Sequence, residues 1–174
     1  MSKKIILIVG PSGVGKDTLL KNIKNKIKAN FVKRYITRVP DENESNYFLQ
    51  EEAFKILEKN NFFISTWNAH NNFYGIAKNS ILEGLNIISI SRAKIKDFEK
   101  QYQKVYTINI TLNKNDLKQR LKKRARESIE EIEKRLSRSY EKIEARNLIE
   151  FENNKNLTES VEEFLKLLGQ INED

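Results

Sequence analysis

The feature that most constrains this chain is an apolar run that breaks abruptly into glycine near its start. Ile5-Ile6-Leu7-Ile8-Val9 is continuous and reads as a strand covered on both faces. Gly10-Pro11-Ser12-Gly13-Val14-Gly15-Lys16-Asp17-Thr18 follows, with the G-x-x-x-x-G-K spacing of a Walker A loop. Glycine is needed there because the backbone must turn tightly and bring its N–H groups against phosphate oxygens without side-chain obstruction. Leu19, Leu20, Ile23 and Ile27 then recur on one face, so the loop opens into a helix whose N-terminus points its dipole at the same anion. The nine residues from Gly10 to Thr18 are therefore the candidate nucleotide-binding residues, with ATP the expected ligand. Lys16 is the point charge for its β- and γ-phosphates.

Asp17 occupies the position where Ser or Thr normally supplies a hydroxyl to Mg²⁺. A carboxylate is a hard oxygen ligand and holds such an ion directly or through water. The other reading is that Asp17 only favours the helix N-terminus electrostatically. The metal-linked reading makes Asp17 the candidate ligand and Mg²⁺ the expected ion.

Farther along, Phe62 to Trp67, Leu85 to Ser91 and Val105 to Leu112 read as strands. Ser91 to Tyr102 and Asp116 to Arg124 read as helices. Ile129, Ile132, Leu136 and Ile143 mark one long charged helix, and Val161, Phe164, Leu165 and Leu168 a closing one. Strand and helix alternating in this way predict an α/β chain with a mainly parallel sheet flanked by helices. At 174 residues one domain is expected, spanning 1–174. With 39% hydrophobic and 32% charged residues it reads as soluble and globular. Ile5 to Val9 is the longest clean apolar stretch, too short to cross a bilayer, so no membrane partner is expected. No signal peptide is apparent. Cys is absent, which excludes disulfides and thiolate metal sites and is compatible with the cytoplasm. The formal charge of +8 suits a polyanionic ligand.

Several further segments are similar, in order, to the ribose 1,5-bisphosphate phosphokinase (PhnN) family, within the guanylate-kinase-like P-loop kinases. They are Gly10 to Leu20 (GPSGVGKDTLL), Arg34-Tyr35-Ile36-Thr37-Arg38 with Glu44 and Asn46 after it, and Trp67-Asn68-Ala69-His70 with Phe73-Tyr74-Gly75-Ile76. Ser91-Arg92 resembles that family's strand-end S-R. Arg124-Ala125-Arg126-Glu127, with Ile132 and Arg135-Leu136, resembles its lid. The resemblance implies a three-layer P-loop fold with an acceptor-binding region over about 34–80 and a lid over about 120–145. It implies ATP and Mg²⁺ as cofactors and transfer of the γ-phosphoryl group to ribose 1,5-bisphosphate, giving 5-phosphoribosyl 1-diphosphate in phosphonate catabolism.

On that resemblance Lys16, Arg38, Arg124, Arg126 and Arg135 are the candidate catalytic residues, and Arg34, Arg38, Glu44, His70, Tyr74 and Arg92 would bind the acceptor. Asn153-Asn154 would border the adenine, with Arg124 against its ring. An oxygen of the acceptor's 1-phosphate is already anionic, so no general base is required, and positioning plus charge neutralisation would carry catalysis. Trp67 reads as core packing.

Guanylate kinase is the close alternative. Its second Arg of T-T-R-x-P-R falls at Asp41 here, its phosphate-binding Tyr at Asn46, and its two guanine-reading acids at Asn68 and Ser91. Guanine presents two N–H donor groups that a carboxylate pairs well, and poorly matched buried donors cost about 1–3 kcal/mol each. A non-catalytic binding module is a third reading, opposed by the intact loop and lid motif. A nucleic-acid binder using Lys118 to Arg126 lacks the aromatic residues that stacking requires, so no nucleic-acid partner is expected. The acceptor is expected to be a small phosphorylated sugar or a nucleotide; a homodimer is compatible with the sequence and not specified by it.

Overall fold

A computed structural model describes residues 2–39, 45–123, 129–139 and 142–173. In chain order its first half contains β1 (Lys3–Val9), α1 (Lys16–Ile23), β2 (Asn30–Phe31), β3 (Tyr35–Ile36), β4 (Tyr47–Phe48), α2 (Glu51–Lys59), β5 (Phe63–Ala69) and β6 (Asn72–Ala77). The second half contains β7 (Gly84–Ser89), α3 (Ile95–Glu99), β8 (Lys104–Thr111), α4 (Lys114–Lys123), α5 (Ile129–Ser139), β9 (Leu148–Glu152) and α6 (Leu157–Glu173).

The apolar run becomes the central strand, β1, of a five-stranded sheet ordered β2-β7-β1-β8-β9. Every pairing in it is parallel. The chain leaves β1 towards β2 and β7 on one side and later returns to β8 and β9 on the other. The carboxyl end of β1 is thus a topological switch point, where open α/β sheets bind their ligands. Strand alternation sorts the core into two faces. Ile6 and Ile8 pack with Leu19 and Ile23 of α1 and Phe164 and Leu168 of α6. Ile5, Leu7 and Val9 pack with Ile95 and Phe98 of α3 and Ile64 and Ile76 of the hairpin β5–β6. All five apolar residues of β1 are fully buried, which is why the strand reads as an unbroken hydrophobic run.

Two polar anchors interrupt this core. Lys4 Nζ donates to the carbonyls of Ile171 (2.7 Å) and Asn172 (2.9 Å), placing a cation where α6 ends its dipole. The Asn86 side chain, fully buried, accepts from Asn30 Nδ2 at 2.7 Å and from the Leu82 N–H at 2.9 Å. It also donates to the Leu82 carbonyl at 2.8 Å, so the edge strand β2 and the turn before β7 share one satisfied amide.

The second sheet, ordered β4-β3-β6-β5, departs from the parallel pattern expected from the sequence. β3 pairs parallel with β4, whereas β6 is antiparallel to both β3 and β5. His70 (φ 52°) and Asn71 (φ 58°) make the turn of the β5–β6 hairpin. Two successive left-handed residues give the twist a two-residue hairpin needs, and a hairpin makes its strands antiparallel. Two helix expectations also change. The long helix is described over Ile129–Ser139 and does not extend to Ile143, which packs instead with the second core face. The segment from Ser91 is a 3₁₀ turn (Arg92–Lys94) followed by the short α3, not one continuous helix.

Candidate active site

The glycine loop leaves β1 against the neighbouring strand. A Cβ on Gly10 (φ 143°) would stand 2.3 Å from the Ile110 carbonyl oxygen of β8, so no side chain fits. Gly13 (φ 93°) and Gly15 (φ 96°) are also left-handed, and Gly15 opens α1 with no side-chain cap. The Leu19 N–H makes the first intrahelical bond to the Gly15 carbonyl, and the helix end beyond it is left for an anion. Lys16 folds back over the loop, its Nζ donating to the carbonyls of Gly10 (2.7 Å) and Pro11 (2.9 Å). These bonds hold the ammonium at the loop's centre. Val14 is buried in the core, and its carbonyl accepts from Asn153 Nδ2 at 2.6 Å.

A cleft of about 270 Å³ lies over this loop. Gly10, Ser12, Gly13, Gly15, Lys16, Asp17 and Thr18 form its floor, whereas Pro11 and Val14 are not among its lining residues. The opposite wall comes from the second sheet: Arg34, Arg38, Trp67, Ala69 and Tyr74. Ser89, Ile90 and Ser91, at the end of β7, close the side. The structure therefore brings Lys16, Asp17, Arg34, Arg38 and Tyr74 to one cavity. Asp17 is the only carboxylate among its described lining residues.

The arginines of that wall are positioned by strand pairing. Thr37 continues the β3–β6 ladder: its N–H donates to the Phe73 carbonyl at 3.1 Å, and its hydroxyl accepts from the Phe73 N–H at 2.9 Å. Arg38 is thereby delivered at the ladder's end. Arg34 lies 5.9 Å from the centroid of the Tyr74 ring, and its Nε donates to Asn46 Oδ1 at 3.3 Å. Tyr74 in turn stacks on Trp67, centroids 5.4 Å apart and 7° from parallel. The guanidinium thus lies over the phenol, which is itself stacked on the indole. Trp67 packs against the core, as expected, and also lines the cleft. Gly75 explains the glycine of the Tyr-Gly pair. A Cβ there would meet the Phe63 ring at 2.7 Å, and Phe63 stacks on Phe54 beneath the wall.

Other expected residues lie elsewhere. His70 is exposed in the hairpin turn, and it is Ala69 beside it that lines the cleft. Arg92 opens the 3₁₀ turn next to Ser91, half-buried and off the cleft lining. Glu44, Arg124 and Arg126 lie outside the described residues, as does the side chain of Arg135, whose helix α5 is described. Lys118 of α4 pairs with Glu133 of α5, and this hydrogen bond holds the Glu133 carboxyl below the usual carboxylate range.

On the far side of the loop a smaller cavity of about 180 Å³ is lined by Gly15, Thr18, Arg120, Asn153, Lys155 and Leu157. Arg120 and Lys155 were not singled out by the sequence, since neither sits in a motif. Arg120 lies in a run of lysines whose periodicity gives no sign of which member turns towards the loop. Asn153 was expected near the base. The structure shows its side chain bonded to the Val14 carbonyl, a contact that only the fold reveals.

The guanylate kinase family model matches residues 2–170. A guanylate kinase of Prochlorococcus marinus is 32% identical over 178 residues, covering 95% of this chain and 97% of the relative. A ribose 1,5-bisphosphate phosphokinase PhnN of Klebsiella pneumoniae is 33% identical over 176 residues, covering 97% and 94%. Among solved structures, guanylate kinase from Anaplasma phagocytophilum has the same fold, with a TM-score of 0.66 at 20% identity over 99% of this chain and 87% of that one. With a phosphate loop at the switch point of a parallel sheet and a family match along almost its whole length, the chain belongs to the guanylate kinase family, a P-loop phosphotransferase for which that membership implies ATP as donor.

Proposed function

We propose that the protein transfers the γ-phosphoryl group of ATP to ribose 1,5-bisphosphate, forming 5-phosphoribosyl 1-diphosphate. The observation that carries this reading is the charge of the cleft. Lys16, Arg34 and Arg38 face it, and Asp17, beside the triphosphate loop, is the one carboxylate among its described residues. A guanine-reading wall needs an acid for the base's N–H donors. Here the wall offers arginine, serine hydroxyls and an aromatic face, and Asn68 is exposed away from the cleft. Arginine's planar fork suits phosphate. The Klebsiella relative carries the name of this reaction at an identity similar to that of the Prochlorococcus guanylate kinase, so the relatives leave the choice to the site chemistry.

In this reading an anionic oxygen of the acceptor's 1-phosphate attacks the γ-phosphorus in line, forming the new P–O bond as the bond to the ADP oxygen breaks. The nucleophile carries no proton that must be removed. The barrier is the repulsion between two polyanions, which Lys16, Arg34 and Arg38 lower by surrounding the transferred group. Asp17 and the Thr18 hydroxyl are hard oxygen donors beside the loop and fit Mg²⁺, which when bound supplies further charge neutralisation. A lid over about 120–145, bearing Arg124, Arg126 and Arg135, would exclude water from the reacting groups.

A coupled ADP-release assay with ribose 1,5-bisphosphate, GMP, dGMP and AMP tests this. Turnover with the sugar bisphosphate is expected. Turnover with GMP alone would overturn the acceptor and restore guanylate kinase as the activity.

A further inference from the structure

A second cavity, of about 300 Å³, runs off the cleft and shares Asp17, Arg34 and Ser89 with it, so the two form one continuous trough. Its α1 wall is built from Asp17, Leu20, Lys21 and Lys24, the i, i+3, i+4, i+7 positions of a single helical face. Leu20, Phe31, Val32 and Ile87 make an apolar floor. Lys21, Lys24, Lys33 and Arg34 stand around it, four cations against the one carboxylate of Asp17 among its described lining residues. Among the described residues none of the three lysines is paired with a carboxylate; Lys33 lies instead 5.1 Å from the Tyr47 ring centroid.

We infer that this annex binds the second, non-reacting phosphate of the acceptor, with Lys21, Lys24 and Lys33 as its cations. The inference rests on the sugar-bisphosphate reading above and gives it a geometry. One helix carries the triphosphate at its N-terminus and the lysines that hold the far end of the acceptor along its side. Arg34, on the boundary between the cavities, is shared by both acceptor phosphates. The apolar floor keeps high-dielectric water from one side of the annex, which strengthens attraction between the lysines and an anion. A nucleoside monophosphate has a single phosphate and would leave these cations unmatched. The annex therefore selects for an acceptor with anionic groups at both ends.

The test is the double variant Lys21→Ala/Lys24→Ala, both positions being exposed, with Lys26→Ala/Lys28→Ala as a charge-matched control on the surface. At saturating ATP, KM for ribose 1,5-bisphosphate should rise about tenfold or more, as expected for losing contacts to a charged group. The kcat should stay within about twofold, because a contact equal in ground and transition states changes KM alone. Calorimetry separates the two ends of the acceptor: affinity for ribose 5-phosphate should fall in the variant, and affinity for ribose 1-phosphate should not. If the variant retains the wild-type KM, the annex is not a subsite and the acceptor reading stands. Equal losses for both monophosphates would also overturn the inference, because they report a general field and not a local contact. If the wild-type protein phosphorylates GMP and not the sugar bisphosphate, the acceptor reading fails and takes the annex assignment with it.

Discussion

The two walls of the cleft are made of different material. The donor wall is backbone: three left-handed glycines, a helix terminus and a lysine tied to two loop carbonyls, all hung from a strand buried on both faces. The opposite wall, proposed to hold the acceptor, is side chain: an arginine over a tyrosine that is stacked on a tryptophan, carried partly by strands only two residues long. A wall made of backbone tolerates few sequences, because the chain path itself is the ligand contact. A wall made of side chains keeps its shape while its chemistry changes one residue at a time. This explains how relatives with two different names for their reactions have similar identity to this chain.

The comparison breaks most sharply at Lys16. Lys16→Ala should reduce kcat at least ~100-fold, the scale of removing one transition-state charge contact, with the melting temperature nearly unchanged. Gly10→Ala should do the reverse. Its Cβ meets the backbone oxygen of Ile110, which cannot rotate away, so stability should fall by about 1–3 kcal/mol or more and ATP binding with it. Thermal unfolding with and without ATP checks both, and an unshifted Gly10→Ala melt would deny that the donor wall is fixed by its backbone.

On the other wall Arg34→Ala should raise the acceptor KM by about 10–100-fold, the loss of a charged hydrogen-bonding group, and leave the ATP KM alone. An equal effect on both substrates would erase the distinction between the walls. Asn153→Ala probes the donor wall from behind. Losing its bond to the Val14 carbonyl should cost about 1 kcal/mol, read as a roughly fivefold rise in the ATP KM. Asn153→Asp, which lacks the N–H donor and adds a negative charge beside the loop, should raise the ATP KM further.

The smallest effect is expected at the pair Lys118–Glu133, which joins α4 to α5. Because Glu133 titrates lower in the folded chain, its contribution is present above the unfolded carboxyl value and is lost as pH falls through the folded one. Any stability difference between Glu133→Gln and the parent should therefore appear near neutral pH and vanish in acid. Both groups are at the surface, so added salt should shrink it further.

What the sequence disclosed follows the same division. The strand, the loop and the first helix were legible because backbone geometry imposes residue types: Ile5–Val9 must be apolar on both faces, and Gly10 cannot bear a side chain. The parallel sheet followed from alternating periods. The second sheet was less legible, since two-residue strands such as Tyr35–Ile36 are too short to show a period, and the antiparallel β5–β6 pairing is set by a turn at His70-Asn71 that lacks glycine. Ile143 misled for a related reason. An apolar residue at helical spacing reads as helix, while its burial comes from the opposite core face. Asn153 and Arg120 reach the loop only because β9 and α4 fold beside it, and contacts between distant segments leave no local trace.

The tie between Lys4 and the end of α6 has a consequence for synthesis. The ammonium that anchors the first strand finds its carbonyl partner at Ile171, 167 positions later in the chain. Ile6 and Ile8 likewise meet Phe164 and Leu168 only when that helix has left the ribosome. The nucleotide loop is thus translated early and consolidated late, so nascent chains that stall before α6 would carry the loop's sequence without its grip.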